Sequence, residues 1–211
     1  AAPNHPELLN YLAAELVRQN WSTKALHRLI LNSAVFRQQS TTTEKTAQVD
    51  PENRLLSRYP MHRLDAEAIR DGMLAVSGEL NDQMFGSYVP TEHSPDGRIV
   101  VKPNYDGRLR RSIYLQQRRT QTPDMLMLFD APSIVASCTG RPRTTVPLQS
   151  LNLLNSPFIR DRAAAMADRF GTGNGMNNQQ FIRSTFTLAI GREPRPAEFD
   201  ASLIFLTDQP S

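Results

Sequence analysis

A proline-broken segment from Pro123 to Pro157 most constrains how this chain can fold. It contains five prolines, two arginines, three threonines and the only cysteine of the 211 residues. It lies between two regions with helical patterns, and ordering it costs ~1–2 kcal/mol of backbone entropy per residue. Contacts with the rest of the fold, or with a bound partner, must therefore offset that cost.

Apolar residues recur at helical spacing along most of the remaining chain. The clearest stripe predicts a helix from Ala66 to about Leu80, which Asp65 caps. Further helices are predicted at 6–19, 23–37, 50–59, 147–154, 157–170, 179–190 and 196–206. The segments 98–102 and 111–117 are typical of two strands joined by a turn. The predicted fold class is mainly α: an irregular multi-helix domain with long loops and one small β-hairpin.

The polar composition of residues 38–49 predicts a mobile surface loop, and residues 171–178 predict a flexible link. We expect Trp21 to fill the corner between the first two helices. The length suits a single domain over residues 1–211. It subdivides into N-terminal helices 1–85, a loop and hairpin 86–122, and C-terminal helices 123–211. Since the chain begins with Ala1 rather than Met, we expect it to be the C-terminal part of a larger protein.

The chain carries a net positive charge, and its basic residues are spread along the sequence. The net charge is +3 and the pI about 9.3, from 21 arginines and only 3 lysines. A guanidinium hydrogen-bonds well to carboxylates, sulfates, phosphates and backbone carbonyls. We interpret most arginines as structural; the alternative is that they bind an anionic partner. No apolar run approaches the ~20 residues of a membrane span.

Cysteine and histidine usage argues against a cofactor held by this chain. A single cysteine excludes an internal disulfide, and the absence of C-x-x-C-H excludes covalent haem. Cys138 is interpreted as a buried, inert thiol, because no base lies near it in the sequence. The four histidines show no spacing typical of a zinc site; they are His5, His27, His62 and His93.

Two groups of polar residues form the candidate site. Glu67 and Asp71 stand at i, i+4 on one helix face, so they could act in acid/base chemistry or hold a cation. Arginine pairs beside hydroxyls could clamp an anion. The structural alternative is that the arginines neutralise the carboxylates and bond helix ends and loop carbonyls. The candidate pocket comprises Arg63, Glu67, Arg70, Asp71, Asp130, Arg141, Arg143 and Thr144.

Eight segments, in this order, carry a resemblance to one family. They are HPELLNYLA from His5, WSTKALHRLILNSAVFRQ from Trp21, DPENRLLSR from Asp50, RLDAEAIRDGMLAVSGEL from Arg63, RRSIYLQQRR from Arg110, FDAPS from Phe129, CTGRPRTTVPLQSLNLLNSPF from Cys138 and LAIGREPRPAEF from Leu188. Together they resemble the C-terminal helical domain of unknown function in planctomycete cytochrome-C-domain-containing proteins. The resemblance implies an exported protein, periplasmic or at the cell surface, with a c-type cytochrome-like module and therefore haem c upstream. It implies no catalytic residue for this domain.

Three functions remain open. The first is a binding or scaffold module that docks upstream domains of the same polypeptide, or a surface glycan. The second is part of an enzyme, either an oxidoreductase or a polysaccharide-active one, using arginine and carboxylate residues on an anionic polysaccharide or other anionic substrate. The third, nucleic-acid binding through the N-terminal helical pair, is disfavoured because that pair lacks a run of basic residues. We interpret the proline-broken segment as an internal strap between the helix at 66–80 and the helix at 157–170.

Overall fold

The computed structural model describes residues 3–134, 140–171 and 176–208 of the chain. By their contacts, the residues group into two compact units, Ala1–Arg63 and Leu64–Ser211. The predicted single domain and its subdivision at residues 85 and 122 stay predictions. Cys138 and residues 172–175 of the predicted link lie outside the described residues.

Within its described residues, the first unit contains three helices: α1 (Pro6–Arg18), α2 (Thr23–Asn32) and α3 (Glu44–Val49). Pro6 starts α1, where a missing amide hydrogen does no harm. The hydroxyl of Ser22 caps α2 by accepting from the amide of Ala25 at 3.3 Å. The helical pair predicted from the sequence is therefore confirmed, with α2 ending five residues earlier than expected.

Three local predictions for the first unit are wrong. Residues 44–49 are helical rather than loop, because Thr43 and Thr46 form a reciprocal capping box. Residues 50–59 form turns rather than a helix. The carboxylate of Asp50 there accepts from the amides of the residues four and five places on, and Asn53 has a φ of +55°. Trp21 is 71% exposed instead of filling the corner.

The second unit contains six helices and one small antiparallel sheet within its described residues. The helices are α4 (Ala66–Ser77), α5 (Asp124–Leu128), α6 (Pro147–Asn155), α7 (Pro157–Gly171), α8 (Asn178–Ile190) and α9 (Pro196–Asp208). The strands are β1 (Thr91–His93) and β2 (Ile99–Val101), with Thr91 opposite Val101. The mainly α fold class with one small hairpin is therefore confirmed.

The predicted partner of β2 is wrong. Residues 112–114 form a 3-10 helix, and Leu115 then makes a single parallel bridge to Val89. The amide of Gln116 donates to the carbonyl of Val89 at 2.8 Å. This segment therefore pairs with Val89, which precedes β1 in the chain, rather than with β2. The true hairpin uses the short strand TEH, which has little strand propensity of its own.

The core of the second unit lies between α4, α5 and the bridged segments. The clustered buried residues are Ala66, Val89, Leu115, Leu126 and Phe129. Leu74 of α4 is completely buried as well. Helix α4 ends at Gly78, whose φ of +80° is a backbone conformation that glycine adopts without strain.

Helix α7 packs directly against α4. Arg162 of α7 forms a two-point ion pair with Glu79, at 2.5 and 3.1 Å, and Arg169 donates to the carbonyl of Val76 at 3.0 Å. The proline-broken segment therefore does not separate the two helices, contrary to the predicted strap. Helix α6 is mostly exposed rather than buried, with only Gln149 inaccessible to solvent along it.

Loop carbonyls in the second unit are held by one buried arginine. The guanidinium of Arg110 donates to the carbonyls of Gln83, at 3.1 Å, and Ser87, at 3.0 Å, and also to that of Phe85. It lies 3.9 Å from the ring centre of Tyr114. This is the structural role that the sequence predicts for most arginines. None of the helices in the described ranges combines the length and the hydropathy that crossing a bilayer requires.

Candidate functional site

Glu67 lies beside the arginines of the proline-broken segment. Its carboxylate accepts from Arg141 at 2.6 Å, and Arg141 also lies 3.6 Å from Asp65. Arg143 lies 3.8 Å from the other oxygen of Asp65. These pairs tie the segment to the start of α4, at partly exposed positions where an ion pair contributes roughly 0–1 kcal/mol.

Asp71, one helical turn further, faces a different set of groups. One carboxylate oxygen accepts from both the amide and the hydroxyl of Ser112, at 2.7 and 2.6 Å. The other oxygen lies 3.7 Å from Arg111. Glu67 and Asp71 share a helix face as predicted, but different parts of the fold hold each carboxylate.

Arg70 is buried beneath the loop that follows β2, with 3% of its side chain exposed. It donates to the carbonyls of Arg108, at 2.8 Å, and Arg110, at 2.9 Å, and to the hydroxyl of Ser112 at 3.2 Å. Burial lowers the pKa of Arg70 to about 10; nearby Asp71 acts against this shift, and the positive charge of Arg162 adds to it. The guanidinium remains charged at neutral pH.

The remaining predicted residues are Asp130, Thr144 and Arg63. Asp130 accepts from the amide and hydroxyl of Thr144, at 2.7 and 2.8 Å. This contact closes the proline-broken segment onto the end of α5. Arg63 is half-buried at the end of the first unit. The role of these eight residues as one binding pocket stays a prediction.

A cavity of about 320 Å³ lies in the second unit, at the lower end of the ~300–1,000 Å³ typical of small-ligand sites. Helix α4, strand β2, helix α5 and the first turn of α7 surround it. Much of its wall is apolar, with Val101, Leu126 and Phe158 among the lining side chains. Of the eight residues in the predicted pocket, all within the described ranges, Arg70 alone lines this cavity.

Two guanidinium groups flank the ring of Phe158 in the cavity wall. Arg70 lies 5.6 Å and Arg162 lies 5.1 Å from the ring centre. Both arginine side chains are largely buried, at 3% and 12% exposure. Two cations on one aromatic side chain gain from its electron-rich faces, but they repel each other.

Three polar groups lining the cavity lack a protein partner within the described residues. Arg108 and Asp161 are exposed and make no ion pair there, so they mark a mouth that opens to solvent. The side-chain oxygen of Asn152 is inaccessible to solvent and accepts no hydrogen bond. A buried polar atom without a partner is costly, and it is a common mark of a position that a ligand completes.

Sequence reasoning missed most of this cavity. Phe158 and Arg162 stand at i, i+4 on α7, a spacing that places an aromatic ring and a cation on one helix face, and this was the readable signal. Arg108 and Asn152 carried no such signal, because they lie in a loop and in α6 and reach the cavity only through tertiary packing. Within the described part of the chain, no three histidine, cysteine, aspartate or glutamate side chains are grouped so that they could hold a metal ion.

Comparison with known proteins places the chain in a family without assigning it a reaction. No curated protein and no solved structure matches it. A family model described as PSD1, a protein of unknown function (DUF1553), matches residues 1–206. This match confirms the coarser part of the resemblance, a domain of unknown function. The chain therefore belongs to the PSD1 (DUF1553) family of proteins of unknown function.

Proposed function

We propose that the chain is a binding module of an exported multidomain protein, and that its first unit docks on an upstream domain of the same polypeptide. That upstream domain is a c-type cytochrome-like module, in line with the family resemblance of the sequence motifs. Haem c belongs to the upstream domain, since this chain has no C-x-x-C-H motif.

The exposed apolar surface of the first unit carries this proposal. Among residues 3–63, the buried side chains are Glu15 and Asp50, neither of which is apolar. Leu9, Val17 and Trp21 are more than half exposed. Single exposed apolar residues are ordinary, but a unit without a buried apolar side chain gains little stability from burial. A partner that covers these side chains supplies that stability, and apolar and aromatic side chains are typical of docking surfaces.

Trp21 makes the docking measurable because it is the only tryptophan of the chain. Titration with the separately produced upstream region should shift its emission to shorter wavelength and protect it from acrylamide. If the upstream region holds haem, the emission should be quenched on docking. A Trp21→Phe chain, titrated in parallel, subtracts the signal of tryptophans in the upstream region.

Matched substitutions locate the surface. Leu9→Glu combined with Val17→Glu should weaken the association at least tenfold, because each places a charge in the covered interface. Leu154→Glu is the control, since Leu154 is 75% exposed on α6 of the second unit. A complete lack of association overturns the proposal. So does an association that only the control substitution weakens, or binding of an anionic polysaccharide by the first unit in place of the upstream region.

Export to the periplasm or the cell surface is part of the same proposal and is supported by the family resemblance. Fractionation of the producing cells, with detection of the chain by antibody, should find it outside the cytoplasm. Recovery with the cytoplasmic proteins contradicts this part.

An enzyme acting on an anionic substrate is supported less well. Glu67 and Asp71, the two carboxylates expected to do acid/base work, already accept from Arg141 and Ser112. A general base needs a carboxylate that can reach a substrate proton. We therefore favour binding over catalysis.

A further inference from the structure

We propose that the cavity of the second unit binds a small zwitterion with an apolar body, of the chemical class of a free apolar amino acid. This ligand site is separate from the docking surface proposed for the first unit.

The lining has four arginines and two aspartates, but three of the arginines already lie beside a carboxylate, which disfavours a purely anionic ligand. The four lining arginines are Arg70, Arg98, Arg108 and Arg162, and the two lining aspartates are Asp124 and Asp161. Arg98 lies against Asp96 at 2.5 Å, Arg162 against Glu79, and Arg70 is 3.6 Å from Asp71. Asp124 accepts from the amide of Ile99 at 3.2 Å. Within the described residues, Arg108 is the lining arginine without an ion pair, and Asp161 is the lining aspartate with neither an ion pair nor a side-chain hydrogen bond.

A zwitterion satisfies both of these groups at once. Its carboxylate meets Arg108 and the two guanidinium groups beside Phe158, whose mutual repulsion an anion relieves. The N-terminal end of α7 also lines the cavity, and the helix dipole there favours a carboxylate.

The ammonium group of the ligand finds two acceptors in the lining. Asp161 offers a carboxylate, and the buried oxygen of Asn152 offers an acceptor that no described group uses. An ammonium group has three hydrogens to donate, as many as a lysine side chain. A ligand lacking these donors leaves the Asn152 oxygen without a partner, which the buried site penalises.

The apolar part of the cavity wall favours a ligand with a hydrocarbon side chain. Leu126 and Val101 provide an aliphatic surface, and Phe158 provides a ring. Covering them with a hydrocarbon side chain contributes roughly 25 cal/mol per Å² of apolar surface removed from water. The cavity volume of about 320 Å³ suits a single amino acid better than an oligomer.

Calorimetric titration of the whole chain tests the site with five probes. L-Phenylalanine and L-leucine are the candidates. 3-Phenylpropionate lacks the ammonium group, 2-phenylethylamine lacks the carboxylate, and glycine lacks the apolar body. We expect saturable binding of at least one candidate, with each incomplete probe binding at least tenfold more weakly.

Substitutions at two exposed positions show which side chain contacts each charged group of the ligand, without disturbing the core. Asp161→Asn should weaken the binding of L-phenylalanine and 2-phenylethylamine about tenfold and leave the binding of 3-phenylpropionate unchanged. Arg108→Gln should weaken the binding of L-phenylalanine and 3-phenylpropionate about tenfold and leave the binding of 2-phenylethylamine unchanged. The controls are Arg160→Gln and Asp200→Asn, because both residues are exposed in the second unit and neither lines the cavity.

The results that overturn the proposal are distinct. No saturable binding of either amino acid to the folded chain removes the site. Binding of 3-phenylpropionate as tight as that of L-phenylalanine removes the ammonium contact and leaves a simple carboxylate site. An equal loss of affinity for L-phenylalanine in the Asp161→Asn chain and in the Asp200→Asn control places the ligand elsewhere. None of these results bears on docking of the first unit, which Trp21 fluorescence reports separately.

Discussion

The two units of the chain are stabilised by different kinds of contact. The second unit buries an apolar cluster that includes Val89, Leu126 and Phe129, and its arginines bond loop carbonyls around that cluster. The first unit buries two carboxylates, Glu15 and Asp50, and leaves Leu9, Leu31 and Trp21 exposed. Apolar burial is the main favourable term in folding, so the second unit has its own source of stability and the first depends more on polar contacts, many of them local. This difference supports the two proposed roles, ligand binding by the second unit and docking by the first.

The buried carboxylates of the first unit illustrate this local stabilisation. Arg18 and Gln19 both donate to Glu15, within one turn of α1. Desolvation raises the pKa of Asp50, but the amide hydrogens of Leu55 and Arg54 outweigh this, so its pKa is lowered overall. All of these partners lie within five residues along the chain, so such contacts shape turns without joining distant segments.

Core truncation should give the largest difference between the units. Leu74→Ala in α4 should lower the free energy of unfolding by ~2–5 kcal/mol, because it leaves a cavity at a completely buried position. Leu9→Ala in α1, at 56% exposure, should change it by less than ~0.5 kcal/mol. Urea unfolding followed by far-ultraviolet circular dichroism measures both. A Leu9→Ala chain as unstable as the Leu74→Ala chain would break the comparison.

Two capping boxes, one in each unit, offer a smaller and more closely matched test. Asn177→Ala removes the cap of α8, which packs against α4, α7 and α9. It should lower the stability of the second unit by ~1 kcal/mol. Thr43→Ala removes the cap of α3, a six-residue helix without a buried side chain.

We expect Thr43→Ala to speed hydrogen exchange in α3 alone and to leave the cooperative transition unchanged. Equal shifts of that transition in the two variants would show that α3 belongs to the same cooperative unit as α8.

Acid should produce the smallest effect, and it involves a carboxylate in each unit. Hydrogen bonds from Arg192, with the amide of Arg195, lower the pKa of Glu198 to about 2. Hydrogen bonds from Arg18 and then Gln19 lower the pKa of Glu15 to about 2. An unfolded glutamate has a pKa of about 4.3. The stability from each pair is therefore complete above about pH 5 and is lost as the pH falls through about 2.

Melting midpoints of the wild type and of Glu198→Gln should differ most near neutral pH and converge toward about pH 2. For Glu15→Gln we expect the same trend in the helicity of α1 rather than in the main transition. Asp200→Asn serves as the control on α9, because its exposed side chain makes no hydrogen bond within the described residues. A difference between wild type and Glu198→Gln that does not shrink with acid would contradict the assignment.

The long helices could be predicted from the sequence, whereas the short elements could not. Periodicity and caps locate α1, α4, α7, α8 and α9 to within a few residues. Helices α3 and α5 have six and five residues, too few for a period to show. The helix predicted at 50–59 was wrong because Asp50, read as a helix cap, caps a turn instead. A cap residue offers hydrogen bonds to either structure.

The candidate site was predictable in its chemistry and not in its location. Arginine excess and the charged face of α4 drew attention to Arg70, which does line the cavity. The neighbouring groups Arg108 and Asn152 come from a loop and from α6, 38 and 82 residues away along the chain. No local pattern brings them together, since their approach depends on how α4 and α7 pack.

By itself, the sequence determined the class of fold, the long helices, the absence of a haem motif and the family. These depend on interactions between residues a few positions apart, namely helical spacing, caps and motif order. Only the tertiary structure decided which arginines bond the fold's own carbonyls, which segment pairs with β2, and that two guanidinium groups lie beside the ring of Phe158. These depend on contacts between segments far apart in sequence, whose geometry is set by the packing of α4 against α7 and by the entropy of closing the loops between them.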